Sequence, residues 1–361
     1  MAPPKLLDTH ARPLGVLRLS LTARCNLACP YCLPEGREPA GLLSLEQRLA
    51  VVQAAVELGA RSLRLTGGEP LLHRDLEALI AAVQPLRRLG LHEIALTSNG
   101  TLLSAARAGQ LRAAGLDRIT LSLDGADGAS VARMAGLADA AAGEQILQRV
   151  LAAIEHARDA GFDPARGALK LNAVIQRGRN DDQLLPLARQ RGVELRLIEY
   201  MDVGNRNGWR PEAVLSAAEM RERIARQWPL QPLGRPSGGT AGRWRYQKGR
   251  GGSPGGGGML ATVASVSEPF CGDCNRLRVT SDGIAYTCLF ADPASGLDLR
   301  PWLAPSAAAS AEAGTASSEL RRALAGLWRA RADRWSEQRQ TAWHQGEAER
   351  PRHAEMAYLG G

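Results

Sequence analysis

From residue 14 to about 203 the chain alternates between short runs of β-type residues and longer segments whose apolar positions fall at helical spacing. The short runs are VLRLSLT (16–22), SLRLTGGEP (62–70), EIALTSNG (93–100), RITLSLDG (118–125), ALKLNAVIQ (168–176) and VELRLIEYMDVG (193–204). Between the first two lies LSLEQRLAVVQAAVELGA (43–60), where Ser44 ahead of Leu45 and Glu46 predicts a helix N-cap. Six strand–helix units in series predict a parallel α/β sheet, either doubly wound or curved into a partial barrel.

The polar and glycine-rich residues gather at the C-terminal ends of these runs, as TGGEP, TSNG, SLDG and EYMDVG. In parallel α/β folds that edge is where ligands bind. Any one of these stretches is ordinary turn chemistry. Their recurrence on successive strands predicts several strands feeding one site. The pattern changes after about residue 205. Residues 234–258 are glycine-rich and predict a flexible loop around one short strand, 306–320 predict a disordered insert, and 341–355 read as polar loop. The expected division is a barrel over 1–230, a C-terminal region over 231–340 and a tail over 341–361 that ends in two glycines.

Composition narrows the class. The chain has 361 residues, 45% of them hydrophobic, enough for two domains or one large barrel with an appendage. No apolar run approaches the ~18 residues of a membrane span, and the first fifteen residues hold no apolar stretch of signal-peptide length. The expected location is cytoplasmic, where thiols stay reduced and clustered cysteines bind metal or do redox work. The net charge is +8, and arginine supplies nearly all of the cation, since only Lys5, Lys170 and Lys248 are lysines. The arginines are scattered and aromatics are only 4%, which speaks against a nucleic-acid surface. An anionic small molecule suits them better, because the guanidinium fork matches phosphate and carboxylate.

The candidate chemistry lies in six cysteines. SLTARCNLACPYCLPEG (20–36) holds Cys25, Cys29 and Cys32. A closed zinc site takes four ligands and a disulfide framework an even count. Three thiolates can hold a four-iron, four-sulfur cluster by three of its irons and leave the fourth open to a small molecule. A zinc site completed by a distant histidine, and plain structural cysteines, are the alternatives. Tyr31 before Cys32 and the strand before Cys25 favour the cluster. A second triad, Cys271, Cys274 and Cys288, follows in PFCGDCNRLRVTSDGIAYTCLF (269–290), with no histidine in the stretch. His73 or His92 could complete a zinc site there only through folding.

CxxxCxxC after the first strand, followed by GGEP at the end of the next, resembles the radical S-adenosylmethionine (SAM) enzymes. The second triad narrows the resemblance to the GTP 3′,8-cyclases, which open molybdenum-cofactor biosynthesis. RPLGVLRLSLTARCNLACPYCLP, QRGRNDDQ (176–183), IEYMDVGNRNGW (198–209) and the terminal YLGG carry it nearly from end to end. The resemblance implies a partial parallel (βα)6 TIM-like barrel of the radical SAM type, with a C-terminal auxiliary-cluster region. It implies two [4Fe-4S] clusters, one on Cys25, Cys29 and Cys32 and one on Cys271, Cys274 and Cys288. SAM would bind the first and GTP the second. SAM cleavage would give a 5′-deoxyadenosyl radical that takes the ribose 3′ hydrogen, after which the ribose carbon bonds to guanine C8. No side chain is implied as an acid or base.

The same resemblance implies SAM contacts at Gly67, Gly68, Glu69, Thr97, Ser122, Arg196 and Met201. It implies GTP contacts at Arg18, Arg64, Lys170, Arg276 and Arg278. Arg18, Arg64, Lys170 and Arg196 sit inside strands, where a long cation can also simply snorkel from the core. The tail, Gly360 and Gly361, would reach toward the active site. The implied partners are a cyclic pyranopterin monophosphate synthase downstream, a reductant such as flavodoxin, and a second copy of the chain, with no nucleic acid and no membrane. The sequence departs from the family at Ala23, where an aspartate is usual, at Gly15 and Val16, and in a shorter segment after Cys32. Two other readings compete. One is another radical SAM enzyme with an auxiliary cluster, of the peptide-maturase type. The other is an iron–sulfur electron carrier or a basic nucleic-acid-binding protein.

Overall fold

The computed structural model describes residues 6–34, 36–188, 192–247, 258–303, 311–344 and 353–360. Six strands come first: β1 (Val16–Ser20), β2 (Ser62–Thr66), β3 (Glu93–Ser98), β4 (Arg118–Ser122), β5 (Leu169–Ile175) and β6 (Glu194–Glu199). They pair in chain order, all parallel. The sheet then grows at both ends with strands from late in the chain. β9 (Met259–Val263) adds parallel to β6, and β10 (Arg276–Val279) adds parallel to β1. β7 (Leu230–Gly234) and β8 (Gly242–Tyr246) continue beyond β9, and β11 (Ile284–Tyr286) and β12 (Leu297–Asp298) beyond β10, all antiparallel. The result is an open parallel α/β barrel whose two outer strands are β12 and β7.

Among the helices, α1 (Leu45–Glu57), α2 (Leu76–Ala82), α3 (Ala105–Ala113), α4 (Gly128–Ala135), α5 (Ala140–Asp159) and α6 (Leu184–Ala188) lie between the strands, α4 and α5 both between β4 and β5. α7 (Ala217–Ala225) follows β6, and α8 (Ala311–Arg329), α9 (Trp335–His344) and α10 (Met356–Leu359) close the chain. Ser44 caps α1 as predicted, accepting a hydrogen bond from the backbone N–H of Gln47 at 3.2 Å while the Gln47 side chain returns to Ser44.

Strand parity decides what each face does. Leu17, Leu19, Leu63, Leu65, Leu96, Leu121, Leu171 and Leu197 are buried in one core with Val51, Val52 and Ala55 of α1 and Val150 and Ile154 of α5. The residues between them point to the opposite, inward face. Register there sets Arg18 beside Arg64 and Arg278, Thr120 beside Lys170, and Asn172 beside both Ser122 and Arg196. A closed (βα)8 barrel fills its interior with branched apolar side chains. This interior is polar and cationic instead.

The later chain departs from the sequence expectations in places. Of the disordered insert expected over 306–320, residues 311–320 belong to α8, and 306–310 lie outside the described residues. Alanines and an ELRRAL run give that segment helix propensity, and Leu320, Leu324 and Trp328 are buried against the core. β8 is the short strand expected within 234–258, while 248–257 lie outside the described residues. Likewise α9 covers 341–344 of the expected polar loop, and 345–352 lie outside the described residues.

β6 ends on Glu199, which is fully buried. Its carboxylate accepts hydrogen bonds from the backbone N–H groups of Ala217 (2.7 Å), Val266 (2.7 Å) and Ser267 (2.9 Å), and from the Ser267 hydroxyl. One side chain therefore ties the end of β6 to the start of α7 and to the turn after β9. Glu199→Ala leaves these donors without partners in the interior. It should lower the unfolding free energy by about 3 kcal/mol, read as a lower urea midpoint at unchanged slope.

Candidate functional site

The C-terminal ends of β1 to β4 and the loops that follow them wall a first cavity. Cys25, Cys29 and Cys32, Gly67, Gly68 and Glu69, Ser98 and Asn99, and Ser122 and Asp124 all line it. A second cavity runs down the inward face of the barrel. It is lined by Arg18, Arg64, Arg118, Asn172 and Arg196 from the strands, and by Cys271, Cys274, Cys288, Arg276 and Arg278 from the C-terminal region. Each holds about 1130 Å³ of space free of protein atoms, part of it open to solvent. Thr97, Asn172, Ile198 and Met201 line both, so the two cavities are neighbours across one wall.

The loop with the first triad is anchored by backbone contact with the GGEP turn. Gly68 N–H donates to the Thr22 carbonyl at 2.7 Å, and Glu69 N–H donates to the Arg24 carbonyl at 2.8 Å. Gly67 has φ +145°, and a Cβ at Gly68 would lie 2.1 Å from the Arg24 carbonyl oxygen. The glycines thus let two backbones touch just ahead of Cys25. Glu69 is buried and its carboxylate is already committed. It accepts from Leu71 N–H (2.9 Å), the Ser98 hydroxyl (2.7 Å) and Asn99 N–H (2.7 Å). Asn99 in turn donates to Asn26 at 2.8 Å and approaches the Cys25 sulfur at 3.8 Å. Glu69 lines the first cavity and also holds Asn99 in place there. At Ala23, the Glu38 carboxylate accepts from the backbone N–H at 2.8 Å and from the neighbouring Thr22 hydroxyl.

Tyr31 turns inward from this loop and donates to Asp124 at 2.7 Å, while Val174 N–H donates to the other Asp124 oxygen at 2.8 Å. Burial pushes the Asp124 carboxyl up to about 6, and these hydrogen bonds only partly offset it. Burial also raises the three thiols, Cys32 to about 12.

The second cavity is governed by positive charge. Burial, with Arg118 close by, pushes Arg64 down to about 9, and Arg64 Nε has no hydrogen-bond partner among the described residues. Arg276 and Arg278 are 7% and 6% exposed, and Arg276 lies over the Phe270 ring at 5.2 Å. Burial alone would raise the Cys274 thiol, but Arg276 and Arg331 bring it down to about 7, whereas burial pushes Cys288 up to about 12. Two carboxylates balance part of the charge on the inward face, Glu194 buried and Glu93 half-buried. Glu93 pairs with Arg118 at 2.9 Å. Glu194 receives Lys170 (3.2 Å), Arg196 (2.8 Å) and Arg243 (2.9 Å).

The tail reaches both cavities. Met356 lines the first. The Tyr358 carbonyl accepts from the Ser20 hydroxyl at 2.8 Å, and Arg278 donates to the carbonyls of Leu359 (3.3 Å) and Gly360 (3.4 Å). A Cβ at Gly360, where φ is +64°, would fall 2.1 Å from the Thr66 methyl. Gly361 lies outside the described residues.

The structure gathers the expected site residues with two shifts of place. Arg196, expected among the SAM contacts, lines the second cavity, and Lys170 lines neither cavity and is paired with Glu194. Sequence reading did not single out Arg118, Asn172, Asp124, Arg331 or Met356. Parity alone points to Asn172, two residues after Lys170. Nothing local points to Arg331 or Met356, which arrive from far along the chain.

The donor set suits an iron–sulfur cluster. All six cysteines are free thiols, three to a cavity. Among the described residues no three His, Cys, Asp or Glu side chains converge on a single ion. Three thiols lining one cavity are the donor set that a four-iron, four-sulfur cluster with one open iron takes.

Comparison with known proteins agrees with this geometry. Residues 19–190 match the Radical SAM superfamily, and residues 193–337 match Molybdenum Cofactor Synthesis C. The chain is 59% identical over 365 residues to the GTP 3′,8-cyclase of Parasynechococcus marenigrum (strain WH8102), spanning 99% of this chain and 98% of that one. It is 43% identical over 365 residues to the GTP 3′,8-cyclase of Xanthomonas campestris pv. campestris (strain B100), spanning 98% and 97%. Among solved structures it is similar to Streptococcus suis SuiB bound to S-adenosylmethionine, with TM-score 0.56 at 15% identity. That match covers 77% of this chain and 61% of that one, and it shows the fold alone.

Two substitutions test the first cavity. Gly68→Ala should push the Cys25 loop off the end of β2 and cut iron retained by the first triad at least about tenfold. Iron analysis of the variant in a Cys271→Ala background checks this. Asp124 has a folded pKa above its unfolded value near 3.8. The native state therefore holds the extra proton between about pH 4 and pH 6, and this group's contribution to stability falls as pH rises through that window. Urea unfolding at stepped pH should show a flatter profile between those limits for Asp124→Asn than for the unsubstituted protein.

Proposed function

The chain belongs to the GTP 3′,8-cyclase family of radical SAM proteins, and from that premise we propose that it converts GTP to (8S)-3′,8-cyclo-7,8-dihydroguanosine 5′-triphosphate, the first step of molybdenum-cofactor biosynthesis. The observation that carries the reading is the shared wall of Thr97, Asn172, Ile198 and Met201 between two cysteine-lined cavities. A reactive species made in one cavity has only that wall to pass to reach a substrate in the other.

Membership of the superfamily brings an iron–sulfur cluster and SAM, which together supply a 5′-deoxyadenosyl radical when bound and reduced. In our reading Cys25, Cys29 and Cys32 hold that cluster, and the backbone of Gly67 and Gly68, Ser122, Thr97 and Met201 seat SAM beside it. A second cluster on Cys271, Cys274 and Cys288 is our inference from the matching donor set and its own cavity.

The residues of the second cavity bind and orient GTP. A triphosphate carries about four negative charges, and buried guanidiniums give it strong two-pronged hydrogen bonds. Arg18, Arg64 and Arg196 on the barrel wall, with Arg276 and Arg278 on the strand beside Arg18, supply them. Lys170 contributes from one step lower, held by Glu194. An anion beside Arg64 and Arg278 favours their charged forms and so offsets the lowering that burial causes. A peptide substrate would leave that cationic wall uncompensated, which favours the nucleotide. The tail, lodged between Thr66 and Arg278, closes the cavity against water.

The division at 1–230, 231–340 and 341–361 keeps α7 with the barrel, in line with the Glu199 anchor at the start of that helix. No helix among the described residues is long and apolar enough to cross a membrane. A cytoplasmic location, an acidic one-electron donor such as flavodoxin, a homodimer and a downstream cyclic pyranopterin monophosphate synthase complete the proposal.

Anaerobic reconstitution with iron and sulfide, followed by SAM, dithionite and GTP, tests it by mass spectrometry. The expected products are 5′-deoxyadenosine and a cyclised isomer of GTP, with the isomer lost and SAM cleavage retained in Cys271→Ala. SAM cleavage with GTP untouched in the unsubstituted protein would assign a different substrate.

A further inference from the structure

The Cys271–Cys274 turn is gripped by two buried arginines from opposite ends of the chain. Arg331, which lies just after α8 and is 3% exposed, donates to the Cys274 carbonyl at 2.7 Å. Arg12, 2% exposed, donates to the Cys271 carbonyl at 2.8 Å and to the Asp333 carbonyl at 2.9 Å. Asp8 pairs with Arg12 at 2.6 Å and lies 3.8 Å from Arg331. The Arg331 guanidinium also stacks on Trp328 at 4.7 Å and forms a two-pronged pair with Asp333, at 3.1 and 3.0 Å. Asp8 already offsets Arg12. That leaves Arg331 and Asp333 as a pair of opposite charges, and both line the second cavity together with the three thiols.

A charge in that position acts on any iron–sulfur cluster the thiols carry. Reduction by one electron adds one negative charge to the cluster. Nearby cations stabilise the reduced form and anions the oxidised one, and burial keeps solvent from screening either. We propose that Arg331 and Asp333 are positioning residues that set the one-electron potential of the cluster on the second triad, Arg331 raising it and Asp333 lowering it, while Arg331 also fixes the Cys271–Cys274 turn. The inference rests on the reading that this triad holds a cluster. It adds two residues to the arginines already placed around GTP and gives them a redox role in place of a substrate contact.

The test is a potentiometric titration followed by electron paramagnetic resonance on the full chain. A Cys25→Ala, Cys29→Ala, Cys32→Ala background isolates the second cluster's signal. In that background Arg331→Gln should move the midpoint to a more negative potential and Asp333→Asn to a more positive one, with Arg331→Lys close to the parent. Opposite signs are the discriminating result, because a merely structural role loosens the turn in both variants and shifts them the same way. Shifts of the same sign, or two midpoints equal to the parent's, overturn the proposal. If Arg331→Gln does not retain the cluster, Asp333→Asn decides alone, a positive shift supporting the proposal and any other result overturning it. A parent background that binds no iron after reconstitution overturns the second-cluster reading itself, and this inference with it. That outcome is told apart by iron and sulfide analysis before any titration.

Discussion

Everything in this molecule follows from the alternation of leucine and polar residues on six parallel strands. In VLRLS, SLRLT, RITLS and ELRLIE, one set of positions packs against the helices and the other faces inward. A slip of one residue in any pairing would drive an arginine into the helix-facing core and a leucine into the cavity, so the register is strongly fixed. The same constraint builds the site, because the positions freed from core packing are the ones that carry Arg18, Arg64, Arg118, Lys170 and Arg196. An inward face so charged cannot be packed shut as in an ordinary barrel. It stays open, and that opening is the second cavity.

Carboxylates, some buried and some half-buried, hold the parts of the site in place. Glu199 joins the end of β6 to α7, Glu69 joins the GGEP turn to Asn99, and Glu38 supports the turn at Ala23. Glu93 and Glu194 space the cations of the barrel interior. In each case a carboxylate satisfies several donors that would otherwise be orphaned, so it fixes geometry instead of reacting. This division of labour suits chemistry supplied by cofactors, where the protein's part is to bind, orient and exclude water.

The N-terminal segment, the second triad and the tail are brought together from the far ends of the chain. Arg12 and Arg331 meet over one cysteine turn, and Arg278 reaches the carbonyls of the last described residues. β10 completes the parallel sheet beside β1, which places Arg276 and Arg278 on the wall opposite Arg196. Segments far apart in the sequence therefore meet at the second cavity.

The sequence by itself determined the six strand–helix units, the Ser44 cap, the ligand-binding edge and both cysteine triads, because each depends on residues close together in the chain. Period and spacing carry that information directly. The tertiary structure alone decided that Arg196 lines the second cavity, that Lys170 pairs with Glu194, and that the Glu69 carboxylate holds Asn99. It also decided that 311–329 is helix and that Arg331 and Met356 belong to the site at all. These outcomes depend on which long side chain reaches which partner across the barrel, and on burial that exists only once β9 and β10 have joined the sheet. Local patterns hold no record of either.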